Sequence, residues 1–298
     1  MSIKKDSNWG GIFCYFLTPF KENGDVNYDI IKPYVDAVID SGVDGITCVA
    51  STTEGDYLTE QERFKVVEEV CRAADNRVEV SAGVGARGTR QSIEYALQAQ
   101  AAGAKRVIME MQTYFPLGFE NVFQHYEQVG DAIKIPIRLY NIPTPTKYDI
   151  TADQVLQLST IERIDSVKDA SGDPKRIQEI VRLCDADFKV YCGFHWMAPD
   201  VFAFGAKGWE CAMHPSYAKG CVDLYQALSV KADPKEAAEI YARHQKLFLM
   251  FKYFGVPQTV RALSNTTDID LGAPRSPLLP LGAANYPALK QAMALCRA

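Results

Sequence analysis

From residue 11 to about residue 230, short apolar runs rich in β-forming residues alternate with longer segments whose apolar positions recur at helical spacing. Eight runs can be delimited, at 11–17, 45–50, 78–82, 106–111, 135–141, 164–168, 188–192 and 209–212. Between the first two, Ile30, Ile31, Tyr34, Val35, Val38 and Ile39 mark one face of a helix over 28–40. Phe64, Val67, Val70 and Cys71 do the same over 60–74, with charge on the opposite face in both segments. These segments read as crossover helices joining parallel strands.

Local signals agree with that reading. Thr59 with Glu62 three residues later is a capping-box pattern, Thr89 precedes a helix over 91–102, and Thr151 precedes one over 154–158. Gly42 and Gly103 stand where glycines that end helices belong. Eight strands each followed by a helix can close as a (β/α)8 barrel or lie open as a doubly wound sheet. The open sheet would suit a phosphate-binding glycine fingerprint. Gly83-Val84-Gly85-Ala86-Arg87-Gly88 has those letters, but no acidic residue ends a strand about 20 residues on. The expected fold is therefore α/β, a (β/α)8 TIM barrel. Past residue 230 the pattern is helical only (234–251, 257–265 and 286–295, with a Pro- and Gly-rich connector), so a catalytic barrel over 1–230 carries a C-terminal helical extension over 231–298.

Composition adds exclusions. With 298 residues, 47% of them hydrophobic and 23% charged, the chain can bury a large core and is not disordered. Lys and Arg total 32 against 37 Asp and Glu, a net charge of −5 without long runs of one sign, which disfavours nucleic acid and anionic membrane as partners. The eight cysteines form no Cys-x-x-Cys pair and sit mostly in apolar runs, the usage of reduced thiols, and 1–6 is polar with no apolar stretch behind it. A cytoplasmic protein is the expectation.

Barrel sites gather at the C-terminal ends of the strands, so the polar residues ending each run carry the chemistry. The sixth run ends at Lys168, followed by Asp169-Ala170-Ser171-Gly172. A buried lysine loses its charge: at a reference pKa near 10.4 about one in ~2,500 is neutral at pH 7, whereas a shift of ~3 units downward frees roughly a third. A free amine attacks ketones to give a Schiff base; the plain alternative is a strand-end lysine reaching out to solvent. The fifth run ends Tyr140-Asn141-Ile142-Pro143, placing a phenol on a strand ~4.8 Å away, either as a proton shuttle or as core packing. After the second run, Ser51, Thr52 and Thr53 supply hydroxyls and N–H groups that suit a carboxylate, or form an ordinary loop.

With Leu17-Thr18-Pro19-Phe20, these stretches resemble the dihydrodipicolinate synthase and N-acetylneuraminate lyase family of pyruvate-dependent class I aldolases, from about Phe13 to the C-terminal helices. The resemblance implies a barrel with C-terminal helices, a lysine imine at Lys168, Tyr140 as proton shuttle, and Ser51 and Thr52 as cradle for the pyruvyl carboxylate. It also implies Tyr114 in a hydroxyl relay reaching a neighbouring subunit, a homotetramer built as a dimer of dimers, and no cofactor or metal. The chain departs from the family pattern in places. Ala50 and Thr53 replace two glycines of the strand-two motif, and no arginine stands at 144–147, where lysine-pathway synthases bind the carboxylate of aspartate semialdehyde. Gly193, Phe194, His195 and Trp196 end the seventh run where sialic-acid lyases keep acidic residues, and Glu210 lies within the eighth.

The expected activity is thus aldol cleavage or formation of a 2-oxo acid with pyruvate as product or donor. Dehydration, hydration-aldolase chemistry and 4-hydroxy-tetrahydrodipicolinate synthesis run through the same imine. Gly193, Phe194, His195 and Glu210 join Ser51 and Thr52 as candidate substrate-binding residues, and the expected outer half of the substrate is less hydroxylated than a sialic acid, an apolar or aromatic group. A metal-dependent hydrolase is disfavoured because only His195 and His214 of the four histidines lie near strand ends. A non-catalytic binding barrel would leave Lys168 and Tyr140 without a task.

Overall fold

In the computed structural model, residues 10–297 are described. Eight parallel strands close a barrel in sequence order: β1 Gly11–Tyr15, β2 Gly45–Cys48, β3 Glu79–Gly83, β4 Arg106–Glu110, β5 Ile137–Asn141, β6 Ile164–Asp169, β7 Lys189–Cys192 and β8 Gly208–Ala212. All eight apolar runs are strands. The first run leaves the ladder at Tyr15, two residues early, because Phe16 makes only one further bond, from its N–H to the Thr47 carbonyl (2.9 Å), before the chain turns over the rim. The fifth begins at Ile137 rather than 135, after Pro136, which has no N–H to give to the ladder.

The crossover helices follow the pattern as read. Tyr28–Asp40 buries Ile31, Tyr34, Val35 and Val38, and Glu60–Ala74 starts at a complete Thr59–Glu62 capping box. Thr151 and Gln154 form a second box in front of Ala152–Leu158. The helix after β3 runs over Thr89–Ala101 with Gly88 in the cap position, and the Thr89 hydroxyl instead lies 2.9 Å from His125 Nδ1. Gly42 and Gly103 end their helices at φ 92° and 104°, a left-handed conformation that side chains resist. The polar segment at 1–6 lies outside the described residues.

After β8 the chain is helical, including Pro234–Phe254, Val256–Ser264 and Tyr286–Cys296. Two contacts tie this region to the rim. Phe248 and Phe251 pack beside Trp209 and His195 at the outer side of β8. Arg261 pairs with Glu54 on the β2 loop, both side chains almost fully buried, and donates to the Thr18 carbonyl (2.7 Å). Removing one partner of a buried pair strands the other charge in a low-dielectric interior. Glu54→Ala is therefore expected to cost about 3–5 kcal/mol, read as a lower denaturant midpoint with unchanged slope.

Candidate active site

Alternation along the strands points one side chain in two into the barrel, and contacts between strands that are not neighbours show which ones meet there. Thr47 of β2, Arg138 of β5 and Glu210 of β8 form one such set. Arg138 pairs with Glu210 Oε1, and the Thr47 hydroxyl donates to Oε2 at 2.8 Å. The Arg138 guanidinium also lies 3.5 Å from the ring centre of Tyr191 and 4.5 Å from that of Phe13. The pair sits one inward layer below the rim, since Arg138 precedes Tyr140 by two residues on β5.

The layer above holds the reactive groups. Glu110, Tyr140 and Lys168 are register neighbours across β4, β5 and β6, and Tyr191 is next in the ladder on β7, its ring over Arg138. The Lys168 side chain is 2% exposed, and its Nζ lies 3.6 Å from the ring centre of Tyr15 and 3.9 Å from that of Tyr140. It does not reach out to solvent. Burial is the main force on its amine and lowers the pKa to about 7; Glu210 and Glu110 oppose that shift and Arg138 adds to it. At neutral pH about half of such an amine is free. The Ser51 hydroxyl donates to Tyr140 Oη at 3.2 Å, so phenol and β2 loop are already in contact. Burial raises the phenol above its ordinary value, and Ser51 moderates the rise.

The motifs around these residues have structural tasks. Asn141 donates to Asp169 Oδ2 (2.9 Å), and Asp169 Oδ1 accepts from the Ser171 N–H (3.0 Å) and hydroxyl (2.6 Å). The Tyr-Asn-Ile-Pro and Lys-Asp-Ala-Ser-Gly stretches thus tie the ends of β5 and β6 together, fixing Tyr140 beside Lys168. On the β2 loop the Thr53 hydroxyl donates to the Ala50 carbonyl (2.9 Å), while close approach comes from Gly83, where a Cβ would meet Ala50 Cα at 2.5 Å. That glycine, the first of the fingerprint letters, serves packing against the loop. Thr52 is half-buried next to Ser51, and Gly193 lets the end of β7 approach the Asp169 carbonyl behind Lys168.

Other expected site residues fall elsewhere. His195 is buried: Nε2 lies 3.1 Å from the Ala212 carbonyl and the ring packs on Phe251, Phe248 and Trp209, with burial lowering its pKa to about 4. It packs under the C-terminal helix and does not line the cavity that opens at Ser51. Phe194 and Trp196 stack on each other at 4.4 Å. Tyr114 is 80% exposed, edge-on to Phe115, and does not meet Lys168 or Tyr140 within this chain. Glu210 is engaged by Arg138 and Thr47.

A cavity of about 200 Å³ opens at Ser51, lined by Asp56, Arg87, Glu110, Gln112, Pro145 and Thr146 among others. Its wall mixes charged and polar groups with Ile142 and Pro145, and neither Phe194 nor Trp196 belongs to it. An arginine does stand opposite 144–147 after all: Arg87, from the β3 loop. Sequence reasoning missed Tyr15 and Glu110, although both occupy inward positions by strand alternation.

Known proteins resemble this chain over nearly its whole length. Residues 8–295 match the Dihydrodipicolinate synthetase family. The 4-hydroxy-tetrahydrodipicolinate synthase of Moorella thermoacetica is 31% identical over 274 residues, covering 92% of each chain. That of Oceanobacillus iheyensis is 29% identical over 276 residues, again with 92% of each chain covered. Among solved structures, dihydrodipicolinate synthase from Bacillus anthracis superposes with a TM-score of 0.91 at 28% identity, covering 96% of this chain and 98% of that one. The Acinetobacter baumannii enzyme, solved with pyruvate, gives 0.91 at 26% identity, with 98% and 99% covered. A barrel of this order, a half-neutral lysine at the end of β6 and a match over nearly the whole length lead to one conclusion: the chain belongs to the dihydrodipicolinate synthetase family of pyruvate-dependent class I aldolases.

Proposed function

We propose that the chain is a lyase in which Lys168 forms an imine with a 2-oxo acid and a carbon–carbon bond of that acid is broken or made, pyruvate being the common product or donor. The observation that carries the reading is the buried Lys168 amine between the rings of Tyr15 and Tyr140, with Tyr140 held by Ser51. The free amine attacks the carbonyl carbon, the carbinolamine loses water, and the resulting imine accepts the electron pair released when the neighbouring bond breaks. Tyr140 moves the protons of these steps, with Ser51 connecting it to the β2 loop. The pyruvyl carboxylate is assigned to the Ser51 and Thr52 hydroxyls. Glu210 and Arg138 act from below as a fixed charge pair that sets the field at the amine. Tyr114 is assigned to the site of a second copy within a homotetramer.

A second reading, 4-hydroxy-tetrahydrodipicolinate synthesis, is favoured by Arg87 in the cavity wall, a carboxylate-binding group for an aldehyde acid, and by the names of the relatives. A screen of 2-oxo acids that follows pyruvate release, run beside condensation of pyruvate with aspartate semialdehyde, separates the two. Condensation at about 10⁴ M⁻¹s⁻¹ or above is the mark of a dedicated synthase; cleavage of other 2-oxo acids with slow condensation supports the broader lyase.

Only the free amine attacks, so kcat/KM is expected to rise with pH through an acid limb near the Lys168 value of about 7. Glu210 raises that value and Arg138 lowers it. Glu210→Gln removes the first and leaves the second unpaired, so the limb moves to lower pH. A limb that stays in place, or moves upward, means that Glu210 does not act on the amine.

A further inference from the structure

Most buried carboxylates of this protein have an evident partner. Glu54 has Arg261, Glu210 has Arg138, and Asp169 has Asn141 and Ser171. Glu110 does not. It ends β4 in register with Tyr140, is 4% exposed, and lines the cavity that opens at Ser51. One oxygen accepts from the Gln112 amide at 3.2 Å; the other has no hydrogen-bond partner, and no cation pairs with the group among the described residues. Room for it is built in: a Cβ on Gly85 would lie 2.6 Å from Glu110 Cδ. A buried carboxyl left half-satisfied in this way costs stability and needs a task.

We propose that Glu110 is a specificity-determining residue that takes a hydroxyl of the substrate's outer half, so that the preferred substrate is a hydroxylated 2-oxo acid. The proposal rests on the lysine-imine reading above and names the substrate class for that same site. Burial, with Asp56 beside it, pushes the carboxyl above its usual range, against the weaker pull of Gln112 and Arg63. The carboxyl oxygen without a partner faces a cavity that opens at Ser51 and can take a hydrogen bond from a hydroxyl, which is itself both donor and acceptor. An apolar outer half would leave the acid unpaired, the situation that polar sites reject most strongly. The location fits as well: register puts Glu110 next to Tyr140, so a substrate held on Lys168 and extending into the cavity passes the carboxyl.

The test uses the full chain and two five-carbon 2-oxo acids, one with hydroxyls on C4 and C5, the other lacking the C5 hydroxyl. Substrate consumption is followed by mass spectrometry, which registers cleavage and dehydration alike. Wild type is expected to prefer the doubly hydroxylated acid by about 10²-fold in kcat/KM or more. Glu110→Ala collapses that ratio to within a few-fold of unity, and Glu110→Gln, which keeps a donor and an acceptor, retains most of it. An unselective wild type, or a ratio that survives in Glu110→Ala, overturns the proposal. Borohydride trapping of pyruvate, which has no outer half, separates the two levels. Absence of trapping in wild type means the imine reading itself fails. Trapping in Glu110→Ala that falls as steeply as turnover means that Glu110 acts through Lys168 and not on the substrate, which also overturns the proposal.

Discussion

Lys168→Met should lose turnover by about 10⁴–10⁶-fold, the scale on which removal of a covalent nucleophile acts, and should fold more stably than wild type. Both effects have one origin. The amine is reactive because burial strips it of its proton, and burial of an amine is unfavourable in the folded state. The folded value of about 7 lies below the ordinary 10.5, so the unfolded chain binds the extra proton and wild-type stability falls as pH drops from 10.5 toward 7, levelling off below. Methionine carries no such cost, so its advantage is largest at and below pH 7 and shrinks as pH rises toward 10.5. Denaturant midpoints of the two proteins across that window check this. A midpoint for Lys168→Met below that of wild type at pH 7 would mean that the amine is structurally engaged and not poised for attack.

Tyr140→Phe should lower kcat by about 10²–10⁴-fold with a smaller change in KM, the pattern of a lost proton-transfer group. The ring stays and keeps its face toward the Lys168 amine, so packing of the amine survives while the phenol and its bond to Ser51 are lost. Trapping of a 2-oxo acid on Lys168 should become slow without being abolished. Full turnover in the phenylalanine variant would remove Tyr140 from the proton path. A KM effect larger than the kcat effect would make it a binding residue instead.

The fold was legible because each strand of a parallel barrel is buried on both faces and reads as an apolar run, and because the crossover helices carry their own caps, as at Thr59 and Thr151. Lys168 and Tyr140 stood out for a related reason: polar groups ending apolar runs are visible against them. Residues whose meaning lies in a partner across the barrel were much harder to read. Arg138, Glu210 and Thr47 lie far apart in sequence and on strands that are not neighbours, so their pairing exists only once the barrel closes. Tyr15 looks like any aromatic in a strand until the amine of β6 is found over its ring. His195 is the opposite case. It follows a strand end as a catalytic group would, yet the C-terminal helix covers it, and where that helix packs is set by tertiary contacts with Phe248 and Phe251. The cavity wall likewise draws on the loops after β2, β3, β4 and β5 together, which is why Arg87 lines it beside Pro145 and Thr146 although it is far from them in sequence.

The proposed chemistry turns on Lys168 as the imine-forming residue. The most direct measurement is peptide mapping by mass spectrometry after the full chain is incubated with pyruvate and reduced with borohydride. One reduced pyruvyl group per chain is expected, on the peptide holding Lys168, with trapping that increases as pH is raised through about 7. An adduct on a different lysine, or no adduct with pyruvate or any other 2-oxo acid, would contradict it.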